Sequence, residues 1–139
     1  MGRSKGFTLM QLMIAVAIAG VLTAMAVSIY TRHVQSSMAT AALSQLDRYG
    51  TRMQKAFQDN GNYGAGGCAV VVPTGVKQFE FSCELLSGGQ EFVARAAGST
   101  GMKGMTFSID DQGRRRTEAF PGAADLPSSC WMVEKNKCL

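Results

Sequence analysis

No carboxylate precedes Asp47, and no residue of either charge lies between Phe7 and Tyr30. Proline is absent from Phe7 to Asp59, so nothing of that kind interrupts a helix there. A single histidine, His33, is too little for an imidazole metal site. The cysteines all lie at or beyond Cys68 and contain no C-x-x-C pair, which removes the zinc-ribbon pattern. There is no H-E-x-x-H, no glycine-rich phosphate loop following a strand, and no placeable Ser/His/Asp set. A zinc module and a Rossmann-type nucleotide enzyme are thereby excluded, and neither a cofactor, a metal nor a catalytic residue is expected. A composition of 46% hydrophobic and only 17% charged residues excludes a disordered tail.

What the chain does have is strongly uneven. Its 139 residues suffice for one domain of ordinary size. Met1 to Gly6 is a short polar leader with Arg3 and Lys5. Phe7 to Tyr30, FTLMQLMIAVAIAGVLTAMAVSIY, is an uncharged, predominantly apolar run of 24 residues. As a helix this run extends about 36 Å, against roughly 30 Å of bilayer hydrocarbon. It exceeds the 7–15-residue apolar core of a cleaved secretory signal, and no clear small-residue cleavage site follows it. The basic leader places the N-terminus in the cytoplasm and the remainder outside, although Arg32 on the far flank weakens that asymmetry.

Beyond Tyr30 the pattern becomes periodic. Tyr30, Val34, Met38, Ala42, Leu46, Tyr49, Met53 and Phe57 recur at steps of three or four, with Arg32, Gln35, Ser36, Gln45, Asp47, Arg48 and Gln54 between them. The spacing predicts one continuous helix over 7–59, its first half suited to lipid or a helix bundle and its second to packing on a globular core. Asn60 to Gly67, NGNYGAGG, supplies helix-stop chemistry. Phe79, Phe81, Cys83 and Leu85 then alternate, as do Phe92, Ala94 and Ala96, and Met105, Phe107 and Ile109. Gly88-Gly89 and Asp110–Gly113 read as turns, and Arg114–Phe120 as a weaker edge strand. The fold class is therefore α+β: a long N-terminal helix packed on a three- or four-stranded antiparallel meander.

Four cysteines allow three pairings, and sequence alone does not choose between them. Proximity favours Cys68 with Cys83 and Cys130 with Cys138, and any such bridge requires an oxidising compartment. The segment from Pro121 to Leu139 has little periodicity and is expected to be an irregular loop needing a staple. Arg114, Arg115, Arg116, Lys135 and Lys137, with Trp131 nearby, form a candidate nucleic-acid surface. The competing reading is an edge strand blunted by charge.

KGFTLMQLMIAVAIAGVL resembles the class 3 signal of type IV prepilins: a basic leader ending in glycine, then Phe-Thr-Leu, then an apolar helix. The resemblance implies a cut between Gly6 and Phe7 by a prepilin peptidase and N-methylation of Phe7. The family's usual glutamate at the fifth mature position is here Gln11, and the proline many pilins carry further along is here Ser28. Phe57 with Asn60-Gly61 and Tyr63-Gly64, Ile109-Asp110 with Gly113, and Cys130-Trp131 are most similar to PilE-type minor pilins. The resemblance implies four regions: leader 1–6, membrane and filament-core helix 7–30, amphipathic helix 31–59, and a β-sheet head 60–139 with a disulfide loop. It implies a structural subunit of a type IV pilus, concerned with biogenesis, twitching motility and adhesion. The implied partners are other pilin subunits, the prepilin peptidase, the pilus platform and assembly machinery, and the inner membrane before export into the extracellular fibre. A DNA-uptake or surface-binding minor pilin, and a type II secretion pseudopilin, are the alternatives.

Overall fold

The computed structural model describes residues 6–139; the leader before Gly6 lies outside the described residues. The chain divides into two compact units, Met1–Val34 and Gln35–Leu139. Helix α1, Leu9–Asn60, runs through both without a break. Gly20 and Ser28 do not interrupt it, as expected for glycine without a neighbouring proline.

In the second unit α1 covers one face of a four-stranded antiparallel sheet: β1 (Phe79–Leu86), β2 (Glu91–Gly98), β3 (Thr106–Asp110) and β4 (Arg115–Ala119), in that order across the sheet. Leu85 faces Phe92, Ala94 faces Ile109 and Phe107 faces Thr117, so the expected alternating rows share one face. A register shift between Thr106 and Phe107 bends β4. The buried helix residues are Ala39, Ala42, Leu43, Leu46, Tyr49, Gly50 and Met53, with Met38 and Phe57 packed at the margins. The stripe is thus wider than the single row read from the sequence, and Tyr30 at its near end is exposed.

Small residues bring helix and sheet together. Ala94 and Ala96 lie fully buried opposite α1. A Cβ on Gly50 would stand 3.0 Å from the Ile109 Cδ1 atom, so this turn of α1 packs its bare backbone on the Ile109 side chain of β3. Tyr63 stacks between Phe57 and Phe92, with centroids 4.6 and 4.7 Å away. Its hydroxyl donates to Gln54 Oε1 at 3.1 Å, and Gln54 Nε2 donates onward to the Asp111 carbonyl. The helix stops as its glycine predicts: Gly61 has φ 72° and its N–H reaches the Phe57 carbonyl at 2.7 Å.

Asp110 organises the β3–β4 turn. Its Oδ1 accepts from the Gln112 and Arg114 amides at 3.1 and 2.9 Å, and its Oδ2 accepts from Arg114 Nε at 2.7 Å. Gly113, with φ 72°, lets the turn close on the Asp110 carbonyl. The expected irregular terminal loop instead contains a small hairpin, β5 (Met132–Glu134) with β6 (Lys137–Cys138). Strands this short carry no readable period, which is why the sequence shows only a loop. Thr117 anchors the segment: its hydroxyl donates to the Cys130 carbonyl at 2.6 Å and accepts from the Met132 amide at 2.9 Å.

Two predictions arise from this arrangement. Asp110→Ala should destabilise the head by about 2–4 kcal/mol, since it orphans two amides and a guanidinium contact. Asp110→Asn should cost less, with both measured by denaturant unfolding. The second concerns alkaline pH. Burial pushes the Tyr49 hydroxyl above its ordinary value, partly offset by the Arg52 charge. The folded state therefore holds this proton more tightly than the unfolded chain. The stability it contributes is complete below about pH 10 and is lost as pH rises through the folded value. Tyr49→Phe should flatten part of the fall in unfolding free energy above that pH. It should also cost about 1 kcal/mol at neutral pH, because the bond to the Val70 carbonyl is lost.

Candidate functional site: an unpartnered apolar helix and a basic strand edge

The first unit consists of exposed apolar side chains on α1. Phe7 is 84% exposed and Leu9 79% exposed, and Met13, Val16, Ile18, Leu22 and Ile29 are all more than half exposed. No part of this apolar window is buried within the chain, and the helix is long and apolar enough to cross a membrane. An apolar surface of this size marks a site of contact with lipid or with another apolar protein surface.

Its polar side chains turn back on their own helix. The Thr8 amide donates to Gln11 Oε1 at 3.1 Å, and the Gln11 amide donates to Thr8 Oγ1 at 3.3 Å. This is a reciprocal capping box, T-x-x-Q, at the start of α1. Thr23 Oγ1 donates to the Ala19 carbonyl at 2.7 Å, and Ser28 Oγ to the Met25 carbonyl at 3.0 Å. Gly6 precedes this cap and is exposed, as is Phe7. The capping role of Gln11 was legible in the sequence: threonine three residues before glutamine, ahead of an apolar run, is the pattern of a helix start.

The head carries two disulfides, Cys68–Cys83 and Cys130–Cys138, with separations of 15 and 8 residues. The first ties the loop after α1 to β1. The second closes the terminal hairpin, and a loop of this length gains about 2–3 kcal/mol from closure. The structure thus selects the local pairing among the three that sequence allowed.

The expected basic cluster is mostly engaged. Arg114 binds Asp110 at 2.7 Å, Arg115 binds Asp47 on α1 at 2.6 Å, and Lys137 lies 3.5 Å from Glu134. Arg116 and Lys135 are exposed and have no ion pair among the described residues. Trp131 corrects the expectation of an accessible aromatic. It is 4% exposed, its indole N–H donates to the Ser108 carbonyl at 2.9 Å, and the Arg115 guanidinium lies 4.8 Å from its ring centroid. A ring held in this way offers no face to a nucleic-acid base. Arg115, held between Asp47 and Trp131, fastens the terminal hairpin to α1. A cleft of about 160 Å³ lies beside this pair, lined in part by Gly50, Gln54 and Ile109. The Asp47 and Asp110 carboxylates at its rim are each taken by an arginine.

On the far face of the sheet Arg95 bridges Glu84 at 3.0 Å and Glu118 at 3.2 Å. Burial alone would lower the Arg95 pKa, but the hydrogen bonds and charges of Glu84 and Glu118 outweigh it and raise it. Among the described residues, no group of three or more His, Cys, Asp or Glu is arranged to hold a metal ion.

The cap makes a measurable prediction. In the micelle-bound full chain, hydrogen exchange of the Thr8 amide should be roughly fivefold faster in Gln11→Ala, the equivalent of about 1 kcal/mol. Gln11→Glu should leave it slow, because a carboxylate closes the same box.

No protein-family model matches the chain. Over 55 residues it is 42% identical to a type IV major fimbrial protein FimA of Dichelobacter nodosus, covering 40% of this chain and 34% of the relative. A fimbrial protein of the same bacterium matches over 55 residues at 42% identity. The chain spans about a third of the length of the curated relatives it matches. Among solved structures it is similar to a type IV pilin from Shewanella oneidensis, at 18% identity and a TM-score of 0.47, covering 68% of this chain and 97% of that one.

Proposed function

We propose that this chain is a structural subunit of a type IV pilus. The observation that carries the reading is the exposed, uncharged apolar run of α1, preceded by a basic leader that ends at Gly6. The similarity to type IV fimbrial proteins over 55 residues supports it. In this reading the chain waits in the inner membrane with its head in the periplasm. A prepilin peptidase cuts between Gly6 and Phe7, and Phe7 becomes the N-methylated terminus. Gly6 suits such a site, because an exposed residue without Cβ lets a peptidase approach the backbone closely.

Assembly is then an exchange of apolar surroundings. The first half of α1 leaves acyl chains for the apolar helices of neighbouring subunits, a transfer with little hydrophobic cost in either direction. The Thr23 and Ser28 hydroxyls and the Gln11 carbonyl already engage their own helix, which leaves the Gln11 Nε2 donors as the side-chain amide group to be matched during the move. The pilus platform and its assembly machinery supply the work. The head, with its paired disulfides, faces the oxidising side and then the exterior.

Within this reading we place the chain among minor subunits, on Phe57, Asn60-Gly61, Tyr63-Gly64, Ile109-Asp110 and Cys130-Trp131. The relatives it matches include proteins described as major. The exposed Arg116 and Lys135 are what remains of a nucleic-acid surface, and the engagement of the other cations favours the structural reading.

The test is direct. Protein recovered from sheared fibres should begin at N-methylated Phe7, by intact mass and N-terminal sequencing. Gly6→Leu should leave the leader attached and remove the chain from the fibre fraction. A chain that keeps its leader in cells, or that never enters fibres, overturns the proposal. Scoring twitching, secretion and transformation separately in a deletion strain distinguishes the pilus from a secretion pseudopilus and from DNA uptake.

A further inference from the structure

Three loops and the tip of the terminal hairpin gather at one end of the head. β1 begins at Phe79 opposite Gly98, the last residue of β2, and Thr106 at the start of β3 lies opposite Ala119 at the end of β4. The loops before β1, between β2 and β3, and after β4 therefore share one end of the sheet. Contacts join them. The Ser99 amide donates to the Gln78 carbonyl at 2.8 Å. A Cβ on Gly101 would stand 3.3 Å from Gln78 Nε2, and one on Gly104 would stand 3.5 Å from Pro121 Cγ. A Cβ on Gly122 would stand 3.8 Å from Lys135 Nζ, so the hairpin tip reaches the same place. α1 joins the group at Gln35, whose Nε2 donates to the Gly101 carbonyl at 3.4 Å.

This end carries Lys77 from the loop before β1, Lys103 from the β2–β3 loop and Lys135 from the hairpin tip. All three are exposed, and none has an ion pair among the described residues. Residues 60–79 and 98–109 contain no carboxylate. Glu80 follows the first loop, but alternation with buried Phe79 turns it onto the outward face of the sheet. Asp125 lies three residues past Gly122, and neither acid is paired with a lysine. Exposed Thr74 and Thr100 add hydroxyl donors in the same loops.

We propose that this lysine end of the head rests on the anionic phospholipid headgroups of the membrane that α1 crosses. The argument is chain continuity joined to charge. The apolar run ends at Tyr30, and the five residues from there to Gln35 are helical and span about 8 Å. That is shorter than the Debye length of about 10 Å at 0.1 M salt, so headgroup charge is felt at the loop bonded to Gln35. An anionic surface attracts each lysine held at that range, and separate loops contribute together. The inference rests on the reading of the chain as a membrane-stored pilus subunit. It adds what the head does in storage: it is held to the lipid by charge, and entry into a fibre breaks that contact as well as moving the helix.

The test uses the full chain in phosphatidylcholine vesicles made with and without phosphatidylglycerol, heads outward. Lysines are acetylated with a water-soluble reagent, and the rate at each is read by peptide mass spectrometry. Phosphatidylglycerol should slow labelling of Lys77, Lys103 and Lys135 roughly fivefold. Exposed Lys55, about 30 Å further along α1 from Gln35, should label at the same rate in both vesicles. Salt at about 1 M, where the Debye length is about 3 Å, should remove the difference. Lys77→Glu with Lys103→Glu should abolish the slowing at Lys135, and circular dichroism and melting check that the head remains folded. Equal labelling of the three lysines in both vesicles overturns the proposal. So does slowing that needs no phosphatidylglycerol and grows with protein density, which marks contact between copies. Protection by duplex DNA but not by phosphatidylglycerol overturns it as well. The pilus reading fails on a different observation, the absence of a processed chain from sheared fibres, so the two failures are distinguishable.

Discussion

The hydrogen bonds that the first half of α1 makes with itself are the constraint on which the rest depends. An apolar helix can move between lipid and a helix bundle only if it brings no unsatisfied polar group that one environment serves and the other does not. Thr23 and Ser28 meet this condition by bonding to carbonyls one turn back, and Thr8 and Gln11 meet it in part, their side-chain oxygens accepting from each other's amides while the Gln11 Nε2 donors stay outside the cap. The apolar side chains supply the affinity for either environment, and the internal bonds keep that affinity unspecific. Specificity has to come from the head.

In the head, the same helix meets a different requirement. A four-stranded antiparallel sheet with one apolar face needs a cover, and the stripe from Met38 to Phe57 provides it. Close approach depends on small residues at the contact, Ala94, Ala96 and Gly50. The carboxylates nearest this contact do local work. Asp110 closes the β3–β4 turn, and Asp47 reaches across to Arg115, which in turn lies against Trp131. Through that chain of contacts, α1 holds the terminal hairpin as well as the sheet. An arginine that looks like part of a basic patch in the sequence is thus a strut in the structure.

Much of this was legible in the residues, and what was not has a physical reason. The long helix and the first three strands follow from hydrophobic period and the helix stop from its glycines, all local properties of sequence, whereas β4 has no apolar alternation and was legible only as a weaker edge strand. The rows Phe92, Ala94, Ala96 and Met105, Phe107, Ile109 bury as their alternation indicates. The terminal hairpin has strands of three and two residues, too short for any period, and depends on Thr117 and Cys130–Cys138, which are distant partners. Trp131 illustrates the same limit. Its neighbours in sequence, Cys130 and Met132, do not say where it packs, and the carbonyl that takes its N–H belongs to Ser108, on β3. The Thr8–Gln11 cap is the reverse case, since its pattern lies within four residues and needed only to be read as a helix start.

Glutamine and glutamate close that cap equally well, so the cap does not explain the choice between them. What differs is charge. In the family this chain resembles, the carboxylate pairs with the terminal amine of a neighbouring subunit, and a buried ion pair is favourable only when both partners are present. A subunit with Gln11 would still bring an amine once cut before Phe7 and would offer its neighbours no carboxylate at that position. Copies of such a chain cannot satisfy one another through this pairing. In the proposed fibre each amine would then need water at an end of the bundle or the carboxylate of a different subunit. In the proposed fibre, cohesion between like copies would rest instead on helix packing.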